Sequence, residues 1–159
     1  MTNEGRQVEG RHVSGETATF IAEVCADLLV RLGAPRTLVQ VDAEPEPDDA
    51  YASMTAHEQK HIAVIRVCTE WETRDWKANA RTILHETLHY MHSGQDRILR
   101  DDLWPAMRNR RWFRVLWDNL NRENELYVDQ LTTTLWDALD VQKIVSKKHD
   151  QLGYPKVRN

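Results

Sequence analysis

TRDWKANARTILHETLHYM, residues 73–91, decides how this chain reads. Trp76, Ala80, Ile83, Leu84, Leu88 and Met91 recur at three- and four-residue intervals, so the run is expected to form one helix with a buried side. Ser93-Gly94 follows as its expected stop, because glycine suits the left-handed position that closes a helix. Inside the run stands His85-Glu86-Thr87-Leu88-His89, an HExxH sequence. Histidines four apart lie one turn above each other on a helix, so both rings reach a single metal ion. Glu86 then points near the open side of such an ion, where a carboxylate can take a proton from water.

Working outward, His61 to Val67 is short and β-branched, the composition of a strand. A strand leading into the HExxH helix could offer its free edge to an extended peptide beside the metal. Ala50 to His57 is expected to pair with it across a Glu58-Gln59-Lys60 turn, and Thr37 to Val41 is a third candidate strand. Between them, Asp42 to Asp49 holds five acids and two prolines, which precludes a packed element. Ser14 can cap a helix running to Leu32, with Phe20, Ile21, Val24, Cys25, Leu28 and Leu32 buried and Gly33 ending it. The expected fold is α+β: a mainly helical single domain with a sheet of about three strands and the helices largely on one side. The domain is expected over residues 14–152, with tails at 1–13 and 153–159.

After a connector from Gly94 to Trp104, the stretch to Lys148 keeps helical spacing and contains Pro105 only at its start. A bend is expected near Asn119 to Asn121, where helix propensity is lowest. Trp112, Leu116, Leu120, Tyr127, Leu131 and Leu135 mark the expected buried side, with Glu125 near its boundary. Four of the six tryptophans, Trp104, Trp112, Trp117 and Trp136, fall here and are read as core packing and a wall for the site.

A tetrahedral catalytic zinc takes three protein ligands and keeps one open place. Glu125, in Asn124-Glu125-Leu126-Tyr127-Val128-Asp129, can complete a His85, His89, Glu125 set. Asp129 shares its face and can accept the second ring proton of a ligand histidine, which holds the tautomer and raises ligand basicity. His92 is the main alternative third ligand, and Glu123, Asp129 and Asp96 also compete. A helix-turn pattern of three histidines at metzincin spacing would need glycine at 92 and histidine at 95, where this chain has His92 and Gln95.

With His85, Glu86, His89, Asn124, Glu125 and Asp129, the chain resembles the gluzincin metallopeptidases, the thermolysin-like HExxH group, and in outline its small single-domain phage and bacterial members. The resemblance implies Zn2+ held by His85, His89 and Glu125, Asp129 as the orienting carboxylate, and Glu86 as general base. The expected reaction is hydrolysis of a peptide bond by a zinc-activated water. His57, Tyr90 and arginine side chains are the candidates for steadying the oxyanion.

Two other readings stand beside this one. Arg97, Arg100, Arg108, Arg110, Arg111 and Arg114 form a basic cluster that could bring a protease to DNA-bound protein, as SprT-like proteins do. The plainer account of that cluster is a solvated face. Alternatively, the chain is a non-catalytic metal-binding interaction module, although a structural site has no use for Glu86.

The whole chain of 159 residues carries a net charge of -4, which argues against a protein that coats nucleic acid in general. No apolar run is long enough to cross a bilayer and the start has no signal-peptide core, so no membrane partner and a cytoplasmic location are expected. Cys25 and Cys68, isolated in apolar stretches, are expected to be buried reduced thiols. The expected partner is a protein or peptide substrate.

Overall fold

The computed structural model describes residues 13–42, 44–46, 50–57, 61–97 and 104–152. The expected tails at 1–12 and 153–159 lie outside them. Val13, counted above with the tail, is instead buried in the core at 2% exposure.

The first helix, α1 (Gly15–Arg31), starts where Ser14 caps it: the Ser14 hydroxyl accepts the Thr17 N–H at 3.1 Å. It ends at Gly33, whose φ of 93° is the left-handed conformation glycine adopts without strain. There the Gly33 N–H donates to the Val30 carbonyl and the Ala34 N–H to Leu29, a Schellman closure. Ile21, Val24, Cys25 and Leu28 are buried as expected, while Phe20 and Leu32 are only partly so.

Three strands follow: β1 (Leu38–Val41), β2 (Ala52–His57) and β3 (Ile62–Val67). Their order is β1-β3-β2, with β1 parallel to β3 and β2 antiparallel to it. The strand nearest the HExxH helix in sequence is therefore the central one and has no free edge. The free edge on the helix side belongs to β2. On β3, Ala63, Ile65 and Val67 are buried and the alternate residues are half-buried, so one sheet face meets the helices. His61 turns the β2–β3 connection with a φ of 48°. The described part of the acidic loop follows the sheet: the Asp42 and Glu46 N–H groups donate to the carbonyls of Ile65 and Val67. Arg66 also pairs with Asp42 at 2.8 Å.

After a single 3-10 turn (Trp71–Thr73) comes α2 (Trp76–Arg97). Asp75 opens it, its carboxylate accepting the Ala78 N–H at 2.9 Å. The helix runs straight through Ser93-Gly94, the expected stop. Glycine costs a helix interior only about 1 kcal/mol relative to alanine, and a packed helix bears that. Ala80, Ile83, Leu84 and Leu88 are buried as the spacing predicts, but Met91 is exposed.

A short helix, α3 (Trp104–Met107), leads into α4 (Arg111–Ala138) and α5 (Val141–Leu152). Two expectations fail in α4. It is unbroken through Asn119 to Asn121, where the Asn119 side chain accepts a hydrogen bond from Arg122, and the break comes at Asp140, with a φ of 51°. Its buried side matches the predicted one only at Leu131 and Leu135. Trp112, Leu116, Leu120 and Tyr127 are exposed, whereas Phe113, Val128 and Thr132 are buried and Leu131, Leu135 and Trp136 pack partly against the core. A helix of this length spans about 42 Å, so its first half extends past the core that would bury it. Trp104, Phe113 and Trp117 form their own cluster there, with ring centroids 5.0 to 6.3 Å apart.

Candidate metal centre

Helix α2 lies between the edge strand β2 and helix α4, and its motif residues divide accordingly. Glu86 turns to the sheet edge and the two histidines turn to α4. The histidines sit on a helix whose other side holds Leu84 and Leu88 in the core, so their side chains are only 19% and 17% exposed.

His85 Nε2 and His89 Nε2 are 3.0 Å apart. Glu125 of α4 approaches both, one carboxylate oxygen 3.4 Å from His85 Nε2 and the other 3.3 Å from His89 Nε2. For zinc with ligands at about 2.0–2.1 Å, tetrahedral geometry puts ligand atoms about 3.3 Å apart. The observed separations of 3.0 to 3.4 Å are close to that spacing, with one Glu125 oxygen facing each ring. Two imidazole nitrogens and a carboxylate are also a donor set that suits a borderline divalent ion. Among the described residues, His85, His89 and Glu125 are the cluster able to hold a metal, their ligand atoms all within 4.8 Å.

Asp129, one turn further along α4, faces the other ring nitrogen, its Oδ1 lying 3.1 Å from His85 Nδ1. A carboxylate at that position favours a proton on Nδ1, the tautomer whose Nε2 lone pair faces the cluster.

Glu86 sits behind the histidines. Burial pushes its carboxyl up to about 8, and the neighbouring Glu125 carboxylate adds to the rise. The Met54 backbone N–H, on β2, pulls the other way, and Glu46 contributes a further small increase. Met54 was invisible to sequence reasoning, since any residue supplies a backbone N–H. Deeper still, the Cys25 thiol is buried and pushed up to about 12, chiefly by desolvation. Both Cys25 and Cys68 are buried, as expected, and neither is in a disulfide.

Other sequence candidates fall elsewhere. His92 meets the Tyr127 ring edge-on at 5.6 Å and does not join the cluster. One further turn along the helix carries it past Glu125, so it cannot replace that carboxylate. The Tyr90 hydroxyl hydrogen-bonds Thr37 just before β1, 3.2 Å away. Glu123 is exposed outside the cluster. The side chains of His57 and Asp96 lie outside the described residues, as do those of Arg97 and Arg100. Arg108, Arg110, Arg111 and Arg114 are exposed around the start of α4. No helix among the described residues is long and apolar enough to cross a membrane. Compared with known proteins, the chain matches no family model, no curated protein and no solved structure.

Proposed function

We propose that this chain is a metal-dependent peptidase, with zinc as the ion. The observation that carries the reading is the convergence of His85, His89 and Glu125 from two helices with Glu86 beside them and Asp129 behind. A divalent ion held there supplies a Lewis acid and water acidified toward neutrality. His85 and His89 would hold it through Nε2, and Glu125 would neutralise part of its charge. Asp129 keeps the His85 ring in the binding tautomer. Glu86, as the carboxylate, would take a proton from the attacking water and pass it to the leaving amine.

The peptide part of the reading rests on β2. Cys68 N–H donates to the Tyr51 carbonyl, so odd-numbered residues of β2 face β3 and Ala52, Met54 and Ala56 turn their backbone groups outward. An extended peptide can add to that edge as a further strand, which places its carbonyls next to Glu86.

The test is elemental analysis of the purified protein, followed by peptide hydrolysis with the zinc-loaded chain and Glu86→Gln. About one zinc per chain is expected in both, with turnover lost by roughly 10²–10⁴ in the variant. Equal turnover in Glu86→Gln would sink the assigned role, and absence of bound metal would sink the whole reading.

A further inference from the structure

The two helices that carry the centre touch along a seam with a regular step. Arg81 meets Thr133, His85 meets Asp129, and His89 meets Glu125. Each contact is four residues further along α2 and four residues back along α4, as antiparallel helices in register require. Two of the three rungs belong to the centre. The first rung has no part in it: Arg81 Nη2 donates to Thr133 Oγ1 at 2.6 Å, and that hydroxyl donates onward to the Asp129 carbonyl at 3.0 Å.

From this we infer that Arg81 and Thr133 are positioning residues for the metal centre, setting the register between α2 and α4 that brings Glu125 and Asp129 to the histidines. The inference rests on the metal-centre reading above. Its physical basis is directional. Val128 and Leu131 of α4 pack against the core, an attraction that is non-directional. A polar contact at one rung of a helix pair is what selects one register over its neighbours. A slip of one residue would move Glu125 about 1.5 Å along α4 and 100° around it, out of reach of both rings. The Glu125 and Asp129 side chains are 59% and 65% exposed, so the core does not hold them in place. Thr133 reaches the same residue, Asp129, whose carboxylate orients His85. The rung is itself exposed, so it adds little to folding stability.

The experiment titrates Co2+ against a chromophoric chelator with full-length wild type, Arg81→Met, Thr133→Val, Thr133→Ser and the Arg81→Met/Thr133→Val double variant. Arg81→Met keeps the aliphatic stem, and Thr133→Val keeps the branched shape without the hydroxyl. Each is expected to weaken metal binding about tenfold, the lower end for groups supporting ligands from outside the first shell. Thr133→Ser should restore wild-type affinity. Because both substitutions cut one link, the double variant should bind no more weakly than either single one. The cobalt absorption bands should shift in Thr133→Val and return in Thr133→Ser. Wild-type affinity in Thr133→Val, or losses that multiply in the double variant, would overturn the inference. So would a fall in the melting temperature of the metal-free variants large enough to explain the lost affinity. A wild type that takes up no Co2+ or Zn2+ would overturn the metal-centre reading first, and the inference with it.

Discussion

Helices α2 and α4 both supply the centre, but they hold their residues in different ways. On α2 the histidines are half-buried, backed by Leu84 and Leu88 at 0% and 3% exposure, so core packing places them. On α4 the two carboxylates stand on a mostly exposed flank, and beyond the helix backbone their placement comes from contacts to α2. One half of the site is set by folding and the other by helix register. The difference predicts that stability and metal affinity separate cleanly between the two helices.

The largest effect should come from the core side. Leu84→Ala is expected to cost about 2–5 kcal/mol of folding stability, as a buried leucine does when a cavity replaces it. Chemical denaturation of the metal-free protein measures it, and a change below about 1 kcal/mol would break the contrast. Glu125→Ala should do the reverse. Metal affinity is expected to fall at least about a hundredfold, beyond the range for outer-shell partners, while metal-free stability moves within about 0.5 kcal/mol. A large loss of stability in this variant would mean that α4 is held as α2 is.

Asp129→Asn sharpens the same comparison on a smaller scale. Asparagine keeps an oxygen facing His85 Nδ1 but loses the charge, so metal affinity should fall about tenfold. Isothermal titration with zinc at constant buffer and pH reads this directly, and unchanged affinity would remove Asp129 from its orienting role.

The smallest effect concerns Glu86 in the metal-free protein. Its folded-state carboxyl is raised to about 8 by burial, above the unfolded value near 4.3. The folded state therefore binds the proton more tightly, and unfolding free energy should fall as pH rises from about 4.5 to 8. Glu86→Gln removes that dependence. It should be the more stable protein at pH 8 by about 1–2 kcal/mol, after allowing for partial solvent access. Parallel melting curves at pH 5 and pH 8 check this; an identical pH slope in both proteins would contradict the burial argument.

Much of the fold was legible before any coordinates. Ser14 and Gly33 bracket α1 because their signals are local: a hydroxyl that caps the first turn and a backbone free to turn left-handed. The three strands and the β2–β3 pairing follow from composition and a turn of the right length. The long C-terminal stretch misled for a physical reason. Two asparagines lower helix propensity by only a few tenths of a kcal/mol each, which flanking turns easily carry. The break falls instead at Asp140, and aspartate is among the residues that enter the left-handed region most readily. The periodic Trp112, Leu116, Leu120 and Tyr127 looked like the buried side, yet the core is too short to reach most of them and selects Val128 and Thr132 instead.

The site divides along the same line. Spacing within each helix determines that His85 and His89 share one face and that Glu125 and Asp129 share another, because 3.6 residues per turn is a property of the backbone. Spacing cannot determine that these two faces meet, since the 36 residues from His89 to Glu125 cross a connector, a short helix and half of α4. Tertiary packing decides that α4 runs antiparallel to α2 in the register that places Glu125 3.3 to 3.4 Å from both rings. It also decides that β2 rather than β3 presents its edge to Glu86. Local geometry is written residue by residue, whereas register between distant elements depends on contacts, apolar and polar, that exist only once the chain has folded.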